Sequence, residues 1–180
     1  MGRQISQTPA AIGKLAPMSS DDYTGREMIS AASGSPGGTY DIELFERLIR
    51  VQARGVWDGD AAADFIRAFK EAAAALGPGE WGVFFDLRGW ELAVPQALEY
   101  LEELGEWTAP QGSGDHVFLL DGGSVQEAVI SRLLSVSSHT ARFFTNPGEC
   151  REWIEEEFPG IDGGAVIQPL ESGGRRKTGQ

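Results

Sequence analysis

The chain has 180 residues, 41% of them hydrophobic, with a single cysteine and a formal net charge of -12. That length suits one core and crowds two, and one cysteine excludes an intramolecular disulfide or a CxxC metal or redox site. The acidic balance argues against nucleic acid as a partner, since such binding rests on Lys and Arg neutralising phosphates, and no run of 18 apolar residues is present to span a membrane.

Residues 1–38 mix Ser, Thr, Pro, Gly and charge and end in SGSPGG, which reads as a flexible lead-in with at most a weak helix around Asp21–Ala32. There is no uninterrupted apolar leader, so the expected compartment is the cytoplasm. A domain is expected over 39–170, and 171–180 reads as a flexible tail.

Tyr40, Ile42 and Leu44 alternate with Asp41 and Glu43, and Ile49, Val51 and Ala53 alternate with Arg50, Gln52 and Arg54. Both are period-2 patterns with one wet face, joined tightly at Phe45–Leu48, and they predict an antiparallel hairpin. Asp58 then caps a helix whose stripe is Ala62, Ile66, Phe69, Ala73 and Leu76, ended by GPG. Three short apolar runs follow: VFF at 83–85, VFLL at 117–120 and RFF at 142–144. Strands apolar on both faces belong in parallel sheets covered by helices.

The loop Leu87–Ala93 after the first run leads to a helix opened by Pro95, with a stripe of Ala97, Leu101 and Leu104. Ser124 and Glu127 make a capping box for a second helix, striped by Val125, Val129, Leu133 and Val136. Asn146 caps a third, with Cys150, Trp153 and Ile154 facing in. AVIQPL adds an edge strand, since Pro169 bars it from the middle of a sheet. The order is β-β-α-β-α-β-α-β-α, an α/β sandwich with a mixed sheet opened by an antiparallel hairpin and continued by mainly parallel strands.

In such sheets ligands and partners meet the loops beyond the carboxyl ends of the strands. Asp86 and Asp121 follow apolar strands there, but a receiver-type phospho-acceptor also needs an acidic pair and a lysine that Thr145–Pro147 lacks. Asp86 is better read as a turn or cap residue at a strand end. His116 and His139 are not aimed at a serine, no G-x-S-x-G elbow is present, and Cys150 lies on an apolar stripe as an inert thiol. No enzyme, cofactor or metal is expected. Trp57 and Trp90 fall in loops at the ligand edge, as recognition anchors or as rings folded over the core.

The segment DLRGWELAVPQAL (86–98) resembles the STAS family, in which a buried strand ending in Asp-Leu leads by a loop to Asp-Ser-Ser-Gly at a helix start. The span 39–158 is similar to its SpoIIAA-like branch, with an opening hairpin, G-V-W-D after the second strand and a final N-P-G-E-C-R-E-W helix. Here Val94, Pro95, Gln96 and Ala97 stand at the switch, so the regulatory serine falls on Gln96, which cannot be phosphorylated. The resemblance implies an anti-sigma-factor-antagonist-like interaction module without its serine switch, docking through Leu87–Gln96 and the Trp57 loop. Expected contact residues are Trp57, Asp58, Asp86, Arg88, Trp90 and Gln96.

The alternative is a small-molecule or lipid carrier of CRAL-TRIO-like type. It would need a pocket of several hundred Å³, which Phe65, Phe69, Phe84, Phe85, Phe118, Phe143 and Phe144 could line. The partner is then a protein or an apolar small ligand, with no nucleic acid and no membrane. A homodimer is also expected, through the hairpin edge or Trp107, unless Arg50, Gln52 and Arg54 blunt that edge.

Overall fold

The computed structural model describes residues 27–29, 38–135 and 140–169. They form a six-stranded sheet in sequence order, β1 (Glu27–Ile29), β2 (Gly38–Phe45), β3 (Leu48–Trp57), β4 (Trp81–Ala93), β5 (Ser113–Leu119) and β6 (Ala141–Phe144). The pairs β1–β2 and β2–β3 are antiparallel, and β3 to β6 run parallel. The expected hairpin closes where expected, with Phe45 opposite Leu48.

Helices cover both faces. On one lie α1 (Gly59–Ala75), α2 (Pro95–Thr108) and α3 (Ser124–Leu134), packed on Ile49, Val51, Trp81 and Val83. On the other lie α4 (Pro147–Glu157) and the short α5 (Gly163–Val166), packed on Leu48, Phe84, Val117 and Leu119. Strands β4 and β5 bury both faces, which is why their apolar runs are unbroken.

Asp58 caps α1 by accepting from the Ala61 amide at 2.8 Å, and Asn146 caps α4 by accepting from Gly148. The α1 stripe is right in phase: Ala62, Phe69 and Ala73 are buried, and Ile66 and Leu76 half-buried.

Five expectations need correction. Residues Glu27–Ile29, inside the supposed lead-in and its weak helix, form strand β1 beside Ile42–Leu44. The supposed capping box does not form: Gly123 occupies the N-cap of α3 with no side-chain cap, and Ser124 is already helical. The stripe of α3 is rotated, with Val125 exposed and Ile130 buried in its place, while Val136 lies outside the described residues. Residues Gly163–Val166, which span the start of AVIQPL and its approach, are helical and capped by Asp162, and the described residues up to Pro169 form no edge strand.

The fifth concerns the dimer. Strand β3 lies inside the sheet and is no edge, and β1 pairs with Ile42–Leu44 of β2, so the edge expected of the hairpin is narrowed to the start of β2; the homodimer itself stays an expectation. Arg50 and Gln52 do not blunt an edge; both are buried. Trp107 is half-buried with the Lys70 ammonium 5.2 Å from its ring centre.

Candidate functional site

Strand β4 decides the geometry of the site. The sequence reading ends it at Asp86 and calls Leu87–Ala93 a loop, but the strand continues for seven more residues because β3 continues beside it to Trp57 opposite Ala93. Two bulges add an extra β4 residue each, between Asp86 and Gly89 and between Trp90 and Leu92. The first turns Trp90 to the same face as Leu87, and Leu92 just after the second adopts φ +100°, a costly conformation for a non-glycine. β5 pairs with β4 only as far as Asp86. Beyond that, the Gln126 side chain of α3 donates to the Trp90 carbonyl at 2.6 Å and the Leu87 carbonyl at 3.4 Å, partners the missing strand would have supplied.

Four of the six expected contact residues therefore divide between two faces of one sheet, and the other two, Asp58 and Gln96, sit at helix starts. Trp57 and Trp90 are not in loops. They are strand residues, 2% and 5% exposed, with ring centres 6.5 Å apart at 83°. Both line a partly open chamber of about 90 Å³ between the sheet and α1–α3. Its floor is the parallel pair Phe85 and Phe118, 5.0 Å apart, with His116 beside them. Gly105 and Thr108 of α2 and Leu133 and Leu134 of α3 complete the wall, which is almost wholly apolar. Both indole N–H groups are buried without a hydrogen-bond partner, and the Trp57 edge is pressed on Gly38, where a Cβ would fall 3.0 Å from its Nε1. Of the phenylalanines expected around a pocket, Phe84 and Phe144 belong to the opposite core.

Asp86 and Arg88 occupy that opposite face. Asp86 is not at a strand end; it is a mid-strand carboxylate, 1% exposed, accepting from Arg88 Nε at 2.9 Å, Arg88 Nη2 at 2.7 Å and Gln52 Nε2 at 3.2 Å. Arg88 Nη2 also donates to the Gln168 carbonyl at 2.7 Å, tying the C-terminal segment to the sheet. The Asp86 hydrogen bonds hold the guanidinium pKa above its usual value against the opposing effect of burial. A second ion pair, this one buried and cross-strand, joins Glu43 to Arg50 at 3.1 Å on the same face. The Arg50/Gln52/Arg54 face is thus a hydrogen-bonded interior in large part, and not the wet face its alternation predicts.

Asp58 is committed to capping α1. Gln96 is exposed in the first turn of α2, its side chain against Gly59, and Val94 at the N-cap offers no side-chain acceptor. His139 lies outside the described residues. Sequence reasoning missed a contact of His116: Ser113 Oγ lies 2.7 Å from its Nε2. A bulge between Ser113 and His116 brings them together, whereas regular alternation would place i and i+3 on opposite faces.

Cys150 is buried beside this second face. Burial first, then the Asp86 charge, push its thiol from an ordinary value near 9 to about 12. Folded protein therefore favours the thiol, so this contribution to stability is complete below pH 9 and is lost as pH rises toward 12. We expect a thiol reagent at pH 8 to label Cys150 only when urea unfolds the chain, with labelling and far-UV circular dichroism sharing one midpoint.

No protein-family model matches the chain, and no curated protein does. Among solved structures it is similar to an uncharacterised protein of the DUF3478 family from Shewanella loihica PV-4, described as having a SpoIIAA-like fold, at 15% identity and a TM-score of 0.53. The match covers 69% of this chain and 98% of that one. This chain has a SpoIIAA-like fold. The SpoIIAA-like sheet places the chamber between β3–β5 and the helices of one face, and the Asp86–Arg88 pair beneath the helices of the other. Among the described residues no helix is long and apolar enough to cross a membrane, and no three His, Cys, Asp or Glu side chains converge as a metal site.

Proposed function

We propose that this protein is a non-enzymatic regulatory module that docks a protein partner at the sheet end formed by Val56 and Leu92–Gln96. One observation carries the reading: Val56 and Val94 are large apolar side chains left exposed at the carboxyl ends of neighbouring strands, beside the positive-φ Leu92. Strain of that kind persists where the surrounding structure enforces it and concentrates at working sites. The fold supports the same reading, since STAS-type modules resemble it, and Gln96 in place of a serine implies docking without a phosphorylation switch. Trp57 and Trp90 then support the surface from beneath instead of touching the partner.

Val94→Asp tests this cleanly. Val94 is the uncapped N-cap of α2 with extended φ/ψ, so aspartate should stabilise the fold by about 0.5–2 kcal/mol while placing a charge on the docking edge. The expected outcome is a higher melting temperature together with loss of cross-linked partner from native extract, matched by Val56→Asp. Unchanged partner recovery by both variants would remove this surface from consideration.

A second reading, a small-molecule carrier, is favoured by the chamber. Its volume of about 90 Å³ is well under the roughly 300 Å³ at which ligand pockets of drug size begin, so a compact ligand fits this reading and an acyl lipid does not.

A further inference from the structure

We infer that the chamber is a binding site for a small, uncharged molecule built on a single aromatic ring. This rests on the small-molecule reading and names its ligand class. The wall offers almost no polar surface, so a charged ligand would lose its hydration with nothing to replace it. Water is no better a tenant, because a buried water needs two to four polar partners. An engineered apolar cavity of about 150 Å³ stays dry and takes up benzene; the chamber here is smaller, about 90 Å³, but partly open.

Ring geometry selects an aromatic guest. Phe69, Phe85 and Phe118 stack on one another in series, at 7° and 5° between successive rings. Trp57 and Trp90 stand nearly perpendicular to each other. One guest ring can extend the stacked series or meet a tryptophan edge-on, the two arrangements that aromatic pairs prefer.

Gly105 is the independent observation. It lies within α2, where glycine weakens a helix relative to alanine. Nothing crowds it: a Cβ there would meet only the Leu133 carbonyl oxygen at an ordinary 3.6 Å. No close approach of backbone explains the glycine, whereas an open wall for a guest does.

The test is toluene added to the full chain, read by thermal shift and by tryptophan fluorescence, with benzoate and palmitate as comparators. We expect toluene to raise the melting temperature and perturb the emission, and benzoate and palmitate to do neither. Gly105→Leu should weaken the toluene response about tenfold without lowering the variant's own melting temperature. Leu133→Phe, which fills the chamber from α3, should do the same and serves if the first variant does not fold. An undiminished response in both folded variants would overturn the site, and a response to benzoate equal to that of toluene would overturn the class. Palmitate binding without toluene binding would overturn this inference together with the compact-ligand form of the carrier reading, leaving only a carrier of larger apolar ligands; no response to any of the three would remove both.

Discussion

Asp86→Ala should lose about 3–5 kcal/mol of stability, the cost of leaving a buried charge without its partner. The carboxylate takes both Arg88 donors and the Gln52 amide, and its removal leaves a guanidinium largely sealed from water with the Gln168 carbonyl as its other side-chain acceptor. Urea unfolding followed by circular dichroism should show the midpoint falling with an unchanged slope. The sharper measurement is the double variant Asp86→Leu/Arg88→Met. Replacing both ions by apolar groups leaves no orphaned charge, so the double variant should be clearly more stable than Asp86→Ala alone. Equal losses would show that packing at Asp86, and not the ion pair, sets the cost.

Phe69→Ala should cost a similar amount, about 3–5 kcal/mol, for a different reason. Phe69 is fully buried and its ring centre lies 5.7 Å from Phe65, 6.2 Å from Trp81 and 6.5 Å from Phe85. Truncation removes apolar burial and opens a void continuous with the chamber, which the helix-packed wall cannot collapse to fill. Against a total stability of about 5–15 kcal/mol for a domain of this kind, either substitution is a large fraction. A midpoint within the scatter of wild type would mean that the core repacks around the missing ring.

The architecture was legible where local signals and burial agree. The period-2 alternation from Tyr40 to Leu44 and from Ile49 to Ala53, the Asp58 and Asn146 caps, Pro95 at the first turn of α2 and the three apolar runs each state their own local structure. Because sequential parallel strands need helical crossovers, those elements in that order also imply the mixed sheet. Errors arose where a neighbouring chain set the outcome. Strand β4 outlasts its apolar run because β3 lies beside it, and its first bulge reverses the facing that simple alternation assigns to Trp90. The same cause hid Ser113 beside His116.

The amino-acid sequence by itself determined the alternating α/β order and the opening hairpin, since these follow from periodicity, caps and turns within a few residues of each other; the SpoIIAA-like likeness came from the resemblance of short motifs. Only the tertiary structure decided the rest: that Trp57 and Trp90 face each other in a core chamber, that Asp86 is clamped by Arg88 on the opposite face, and that Val56 and Val94 remain exposed. The physical reason is that a side chain's face depends on the register of the strand beside it, and one inserted residue moves it from solvent or loop into the interior. Two such insertions fall between Asp86 and Leu92, the stretch where the candidate site is built.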